Sequence, residues 1–282
     1  MLQSVFLNPK SIFFVPFLVS GIFITLFWLK VSERKSLKQS LKLLFAPEVW
    51  LTRQAAIDLS FSFLILVVVS KGLVPLESFI FSAIGPIETF LGAPATRIFT
   101  LNLSPNVESI LVTLIAMLAY DFASYFTHRW MHTNPVLWRI HAFHHSAETL
   151  TFFTTYRQHL LEPVLLTVTR TSAVVLSLVL FHYFFATNAH VITVIGLGLG
   201  FFIYMFTVNL HHSPIPVRYP HFLRKILVSP HVHHLHHSAD ALYSGKNYGV
   251  IFSFWDIWFK TYADLHSEQN HHKRPQFYLK YQ

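Results

Sequence analysis

Long apolar segments alternate with shorter polar, basic segments along this chain. A helix needs roughly 20 apolar residues to cross the hydrocarbon core of a bilayer. Five segments approach that length, namely residues 11–31, 57–76, 109–127, 163–186 and 190–208. A further apolar stretch, 75–91, is interrupted by Gly85-Pro86 and is expected to be re-entrant or interfacial. The pattern predicts an all-α, polytopic membrane protein with about four to five transmembrane helices.

The composition also indicates a membrane protein. Hydrophobic residues make up 53% of the chain and charged residues 12%, whereas a soluble domain carries about 25% charged residues. A chain this apolar would aggregate unless lipid covered it. Because there is no cysteine, the sequence excludes disulfides, thiolate zinc sites, cysteine-bound iron–sulfur clusters and cysteine nucleophiles.

The basic residues predict the orientation of the helices. Of the 21 Lys and Arg residues, six lie in 30–54, three in 128–162 and eight in 209–282. With five spans, these three segments all fall on one side of the membrane, and the positive-inside rule makes that side cytoplasmic. Orientation therefore accounts for the net charge of +8. Since no nucleic-acid-binding motif accompanies that charge, we expect no nucleic acid partner.

Histidine is unevenly distributed, because most of its 19 copies lie in three short stretches of the chain. The first stretch starts at the end of the third apolar segment, where Asp121, Tyr125, His128 and His132 follow the spacing i, i+4, i+7, i+11. On a helix this spacing forms one stripe, so His128 and His132 can share a metal ion. A carboxylate at the depth of Asp121 needs a partner inside the protein. We expect Asp121 to support a ligand imidazole through a hydrogen bond, with backbone or water as the alternative partner.

Two histidine triplets follow, each with the spacing i, i+3, i+4. They are His141, His144 and His145, and His233, His236 and His237. Residues at this spacing share a helical face, so the three imidazoles of each triplet converge. Together with the pair in the first stretch they supply eight neutral imidazoles on one predicted side of the membrane. Such a donor set suits iron, copper, nickel or zinc.

The histidine motifs resemble those of a known family. HRWMH at 128–132, HAFHH at 141–145 and HVHHLHH at 231–237 resemble the HxxxH, HxxHH and HxxHH boxes of the fatty acid hydroxylase / sterol desaturase superfamily. The segments around them, such as Ser229-Pro230 and Asn247-Tyr248-Gly249, are also similar to that family. One departure is Lys260, which stands where the family usually has glycine. The resemblance covers about 121–262.

The resemblance implies a non-haem centre of two iron ions held almost wholly by histidine. Carried onto this sequence, the ligands would be His128, His132, His141, His144, His145, His233, His236 and His237, with His212 as a ninth and His159 as a tenth. His211, His231 and His234 also lie inside the motifs, but helical spacing directs them away from the His233 face. The centre would sit in a His-rich helical cap on the cytoplasmic side.

The family further implies an enzyme that uses O2 and external electrons to hydroxylate or desaturate a C–H bond of a lipid. The lipid would be of the fatty acyl, sterol or alkyl-glycerol type. Because the chain has no dinucleotide fingerprint and no recognisable haem-binding domain, we expect a separate electron donor, a ferredoxin or a cytochrome b5-like protein. We divide the chain into N-terminal transmembrane helices (1–120), a catalytic domain (121–262) and a polar tail (263–282).

Two other functions fit a histidine-rich membrane protein. A zinc-dependent membrane hydrolase usually has a carboxylate base beside its metal, as in HExxH, and none of the three motifs contains Glu. A metal transporter should carry its histidines near the middle of the bilayer, in broken helices. The histidine stretches here are predicted at the ends of the helices.

Overall fold

The structure is a computed structural model that describes residues 15–91, 103–185, 189–194, 197–243 and 245–264. It is predominantly helical. The helices are α1 (Val15–Val31), α2 (Leu37–Leu44), α3 (Pro47–Trp50), α4 (Arg53–Val68), α5 (Val74–Phe81), α6 (Ile84–Leu91), α7 (Pro105–Thr133), α8 (Pro135–His145), α9 (Leu161–Phe185), α10 (Leu199–His211), α11 (His221–Arg224), α12 (Pro230–His236) and α13 (Phe254–Trp258). Two short strands, β1 (Thr193–Val194) and β2 (Leu197–Gly198), pair antiparallel.

Three helical stretches are long and apolar enough to cross a bilayer, judged by length and composition. One is the run from α4 to α6, Arg53–Leu91, and the others are α7 and α9, with 29 and 25 residues. At a rise of 1.5 Å per residue, α7 is about 44 Å long and α9 about 38 Å. Both exceed the hydrocarbon core of about 30 Å. The predicted segments 57–76 and 109–127 lie within the first two of these stretches, and α9 contains 163–185 of the segment 163–186, whose last residue lies outside the described residues.

The fifth predicted segment, 190–208, is not a single helix. Its first half contains the hairpin of β1 and β2, and α10 begins only at Leu199. The β-branched residues at 191–194 favour an extended backbone, which explains why this apolar stretch does not begin as a helix. The 13 residues of α10 span about 20 Å, less than the hydrocarbon core. The described part of this segment therefore consists of a short strand pair and a short helix, and the single transmembrane helix predicted for it is not found.

The run from α4 to α6 is irregular where the sequence carries proline. A π-helical turn, Val69–Leu73, precedes Pro75, whose nitrogen cannot donate the usual helical hydrogen bond. The extra residue of a π turn absorbs that defect. The second irregularity lies at Ser82 and Ala83, just before Gly85-Pro86. Pro86 is then in the first turn of α6, where its missing N–H group has no intrahelical role.

The long helices α7 and α9 pack antiparallel. The Thr127 hydroxyl donates to the Thr169 hydroxyl at one end of the pair, and Val112 packs with Phe181 in an apolar cluster at the other. The helix α10 packs against α1 and α7, and Gly200 permits a close approach to Met117 of α7. A Cβ atom on that glycine would lie 3.0 Å from the Met117 Cγ atom and 3.1 Å from its Cα atom. Small residues allow such close helix packing in membranes.

Candidate metal centre

Four helices end at one place, where the predicted histidines meet. His128 and His132 lie in the last turns of α7, and the first triplet lies in the last turn of α8. His212 follows α10 directly, and the second triplet lies at the end of α12. Because the C-terminal end of a helix carries partial negative charge, all four helices favour a cation between them.

The sequence places these ends through local capping. Asn134 separates α7 from α8, and its side-chain oxygen accepts hydrogen bonds from the backbone of Val136 (2.9 Å) and Leu137 (3.2 Å). The Ser229 hydroxyl accepts from Val232 N (3.3 Å) at the start of α12. Both caps are followed by proline at the first helical position, which suits a helix start. The short turn after α7 therefore folds α8 back onto the histidines of α7.

The imidazoles form two groups that could each hold a metal ion. Group A consists of His128, His132, His141, His145 and His236, and group B of His144, His212, His233 and His237. Within each group the candidate ligand atoms lie within 4.8 Å of one another. All of these side chains are buried except His132, which is half-buried. The groups adjoin, since the rings of His145 and His237 stack with centroids 4.3 Å apart.

The distances between the ring nitrogens fit a metal. In group B the Nε2 atom of His212 lies 3.2 Å from that of His144, 3.3 Å from that of His237 and 3.0 Å from that of His233. Two nitrogens bound to one metal at about 2.1 Å would be separated by roughly 3.0–3.4 Å at angles between 90° and the tetrahedral value. In group A the Nε2 atoms of His132 and His236 are buried without a hydrogen-bond partner among the described residues. Such atoms are expected to have a ligand.

Backbone carbonyls fix the orientation of three of the rings. The Nδ1 atom of His128 donates to the Tyr248 carbonyl (2.9 Å), that of His236 to the Lys246 carbonyl (2.8 Å) and that of His144 to the Arg157 carbonyl (3.3 Å). A carbonyl can only accept, so in each neutral ring the proton is on Nδ1 and the lone pair is on Nε2. The Nε2 atoms of these rings are therefore prepared to bind a metal.

Two further rings have side-chain partners that the sequence did not indicate. The Thr155 hydroxyl donates to the Val208 carbonyl (3.0 Å) and lies 2.9 Å from the Nδ1 atom of His212, from which it can accept. The buried Glu162 carboxylate lies 3.1 Å from the Nδ1 atom of His141. A carboxylate behind a ligand imidazole is common in metal sites. The only sequence signal for Glu162 was an acidic residue near the start of an apolar helix.

Burial keeps the imidazoles neutral. It lowers the pKa of His144 to about 3, with His236 acting in the same direction, and it lowers the pKa of His236 to about 4. Burial and the neighbouring imidazoles also hold the pKa values of His233 and His237 well below their usual range. A metal ligand must be deprotonated, so these rings can bind a metal at neutral pH without first losing a proton.

The carboxylates of Asp121 and Asp256 hold the segment 246–252, whose backbone carbonyls orient two rings of group A. Asp121 accepts from the backbone of Ile251 (2.8 Å) and Phe252 (3.0 Å) and from the Trp255 indole (2.9 Å). Among the described residues Asp121 has no bond to a ligand imidazole, and two of its three donors are backbone N–H groups, the alternative partner expected from the sequence. Asp256 accepts from the backbone of Tyr248 (2.8 Å) and from Gly249 N (2.7 Å). Asp121 and Asp256 thus support the histidines through the 246–252 backbone.

Nine of the ten histidines predicted as ligands lie in the two groups, and His159 is the exception. Its side chain is exposed, and its Nδ1 atom accepts from Leu161 N (3.2 Å) at the start of α9. The three motif histidines left out of the ligand set lie outside both groups. The Nε2 atoms of His211 and His234 bond to the carbonyls of Val228 (3.1 Å) and Ser213 (2.9 Å).

A large cavity adjoins the histidines. Its volume is about 640 Å³, and its walls are mostly apolar side chains of α7, α9 and α10 with the run α4–α6. A smaller cavity of about 60 Å³ is lined by histidines of both groups. The two cavities share lining residues, among them Leu166, Arg170, Tyr204 and Val208. A volume of this size suits a ligand, and its apolar lining suits the hydrocarbon part of a lipid.

Comparison with known proteins identifies the class to which this centre belongs. Residues 113–261 match the fatty acid hydroxylase family model, and this match covers more than half of the 282 residues. The chain belongs to this family, which is one of metal-dependent oxygenases. The resemblance of the three histidine motifs is thereby confirmed.

One relative is an alkylglycerol monooxygenase of Caenorhabditis elegans, which is 27% identical over 152 residues. That alignment covers 52% of this chain and 26% of the relative. The chain therefore spans about a quarter of the length of this curated relative. No solved structure matches the chain.

Proposed function

We propose that this protein is a di-iron oxidoreductase that uses O2 and external electrons to hydroxylate or desaturate a C–H bond of a lipid. The observation that carries the proposal is the pair of adjoining histidine groups, which contain nine imidazoles and, among the described residues, no carboxylate. Two such sites suit a metal that changes oxidation state more than a hydrolytic metal with a neighbouring base. The proposed ligands are the members of groups A and B.

The metals would supply the oxidation of an unactivated C–H bond, a reaction for which protein side chains alone have no equivalent. Hydroxylation consumes one O2, two electrons and two protons, and yields an alcohol and one water. Desaturation consumes the same reactants and yields an alkene and two waters. The residues of the chain hold neutral imidazoles in fixed tautomers, bind the lipid in the apolar cavity and keep bulk water from the histidines.

The substrate is proposed to be a lipid of the fatty acyl, sterol or alkyl-glycerol type. The size and lining of the 640 Å³ cavity support this class, as does the name of the relative, which acts on an alkylglycerol. Electrons would come from a separate ferredoxin or cytochrome b5-like protein.

We assign the catalytic domain to residues 121–262. Its boundary with the N-terminal transmembrane helices then lies inside the helix α7.

We also propose that the centre faces the cytoplasm. The support is that most Lys and Arg residues lie in segments on the predicted side of the membrane that also carries the histidine stretches. Reporter fusions placed after Thr133 and at Gln282 should both report cytoplasm, and a fusion near Ala93 should report the opposite side. The same side for Thr133 and Ala93 would contradict this orientation.

Labelled oxygen tests the reaction. Purified protein loaded with iron is supplied with ¹⁸O2, a reducing system and lipid in ordinary water, and the products are analysed by mass spectrometry. An alcohol should carry the label, and an alkene should form without label while O2 is consumed. A zinc-loaded sample should bind metal without turnover. Product oxygen drawn only from water, at a rate that does not change when O2 is removed, would overturn the proposal in favour of a hydrolase.

A further inference from the structure

The main cavity follows one face of α9 from the histidines towards the other end of that helix. Its lining includes Pro163 near the start of α9 and Leu178 near its end. These residues are 15 positions apart, which corresponds to about 22 Å along a helix. This length exceeds one leaflet of the hydrocarbon core, about 15 Å. An extended lipid chain can therefore lie along α9 with one end beside the histidine groups.

Among the described residues that line this cavity, Arg170 is the one basic residue. It lies nine residues into α9 and also lines the smaller cavity beside the histidines. Its Nε atom donates to the Ser124 hydroxyl (2.7 Å), and one terminal nitrogen donates to the Tyr204 hydroxyl (3.3 Å). The guanidinium also lies over the rings of Tyr120 and Tyr204, 5.2 and 4.7 Å from their centroids.

These partners are hydroxyl groups and aromatic rings, not carboxylates. Across the described ranges, no carboxylate lies within the 4.0 Å limit for an ion pair with Arg170. The guanidinium has five N–H groups, and the two bonds to Ser124 and Tyr204 use two of them. A cation within a membrane helix is unfavourable unless a partner compensates it. The remaining N–H groups of Arg170 are available to an acceptor that enters the cavity.

We propose that Arg170 binds the oxygen atoms at the polar end of the lipid substrate and so determines which carbon faces the metal centre. This inference rests on the proposed function and names a specificity-determining residue within it. The position of Arg170 in the wall common to both cavities supports it, because a polar group held there keeps the adjacent carbons next to the histidines. The apolar tail then lies along α9 towards Leu178.

The donor geometry defines the ligand chemistry. A guanidinium presents parallel N–H groups that match the two oxygens of a carboxylate. The same donors can bond to the ether and hydroxyl oxygens of a glycerol headgroup. A hydrocarbon without oxygen has no acceptor for these N–H groups. Both oxygen-bearing classes should therefore depend on Arg170, the carboxylate more strongly because it also neutralises the charge.

Lipid binding tests this inference without turnover. The full chain is loaded with zinc, which should fill the centre but support no oxidation, and placed in lipid nanodiscs. Binding of radiolabelled palmitate, 1-O-hexadecylglycerol and hexadecane is then measured, since all three share a 16-carbon chain. Arg170→Met removes the charge and the donors, and Arg170→Lys keeps the charge. Leu178→Ala removes only apolar contact, and the exposed Arg139→Met controls for loss of a positive charge elsewhere.

We expect Arg170→Met to weaken palmitate binding about ten- to a hundredfold, as for a lost hydrogen bond to a charged group. The same variant should weaken hexadecylglycerol binding less and leave hexadecane unchanged. Arg170→Lys should keep most of the palmitate affinity, Leu178→Ala should weaken all three ligands alike, and Arg139→Met should change none.

Equal loss for all three ligands in Arg170→Met, or no loss for any, would overturn the inference. The zinc content of each variant checks its folding, and Arg170→Gln replaces Arg170→Met if the latter is not folded. Absence of oxygenase activity in the iron-loaded wild type would contradict the proposed function while leaving this binding result in place.

Discussion

The Nδ1 atom of His128 donates to the carbonyl oxygen of Tyr248 over 2.9 Å, which joins the end of α7 to a segment 120 residues later. This bond gives the ring its tautomer and its direction. The Tyr248 backbone is in turn held by the Asp256 carboxylate (2.8 Å). The arrangement of the imidazoles in group A therefore depends on residues outside that group.

Replacement of His212 should lower the metal content of the protein, whereas replacement of His159 should leave it unchanged. His212→Ala removes a ring whose Nε2 atom is within 3.3 Å of three other Nε2 atoms, so the protein should lose at least one metal per chain. His159→Ala removes an exposed side chain and should keep the wild-type metal content. Metal analysis after gentle purification under reducing conditions measures both. Loss of metal from His159→Ala would place that residue among the ligands after all.

Asp121→Asn should weaken metal binding without removing a ligand. An amide turns one oxygen acceptor into a donor that faces the donors of Ile251, Phe252 and Trp255, so the 246–252 segment loosens. Loss of a group that orients a ligand typically costs 10–100-fold in metal affinity. The rate of metal transfer to a chelator should rise accordingly, while Asp240→Asn, at an exposed position, should leave it unchanged. Equal rates in both variants would refute this role of Asp121.

The metal-free protein should lose stability as the pH falls below about 6.5. In the folded state burial lowers the pKa of His144 to about 3 and that of His236 to about 4, whereas unfolded histidine titrates near 6.5. Between those values the unfolded chain binds protons that the folded chain does not. The free energy of unfolding therefore falls as the pH falls, by up to about 1.4 kcal/mol per pH unit for each such histidine.

Thermal unfolding of the metal-free protein in detergent, compared at pH 7 and pH 5, measures this effect. The melting temperature should be lower at pH 5, and the difference should shrink in His144→Asn, which removes one of the titrating rings. An unchanged or higher melting temperature at pH 5 would show that the imidazoles do not remain neutral in the folded protein.

Lys260→Gly should stabilise the protein. Lys260 has a φ angle of 60°, in the left-handed region that side chains other than glycine adopt at a cost of about 1 kcal/mol. Glycine removes that strain, although it gains entropy in the unfolded chain, so the net gain should be below about 1 kcal/mol. Lys42→Gly, in the helix α2, should instead destabilise by up to about 1 kcal/mol. Melting temperatures of the two variants should therefore move in opposite directions.

The conformation of Lys260 also explains a departure noted in the sequence. The family resemblance implies glycine at this position, and the backbone of Lys260 takes the conformation that favours glycine. The spacing of residues in the sequence could not predict the positive φ angle of Lys260, because the turn that follows α13 determines that angle. Thr261 N and Tyr262 N both donate to the Asp256 carbonyl (2.7 and 3.0 Å), and they hold that turn in place.

Local spacing predicted that the histidines of each triplet share a helical face, whereas the division of each triplet between groups A and B and the surroundings of the rings could not be predicted. The triplets follow the helical repeat, which is a property of neighbouring residues. The partners of the rings come from distant segments, such as Arg157 for His144 and Thr155 for His212. His159 was included because of its motif, and only the packing at the start of α9 places it on the surface. The strand hairpin in 190–208 was missed because hydropathy does not distinguish an apolar strand from an apolar helix.

The two histidine groups interleave along the chain. In α8, His141 and His145 belong to group A and His144 to group B, and in α12, His236 belongs to group A while His233 and His237 belong to group B. If each group holds a metal ion, as proposed, an ion bound in either group would also order the helical turns that carry ligands of the other group. The entropy of ordering those turns would be lost only once, when the first ion binds. We therefore expect the two ions to bind cooperatively, with few chains holding one metal at intermediate metal concentrations.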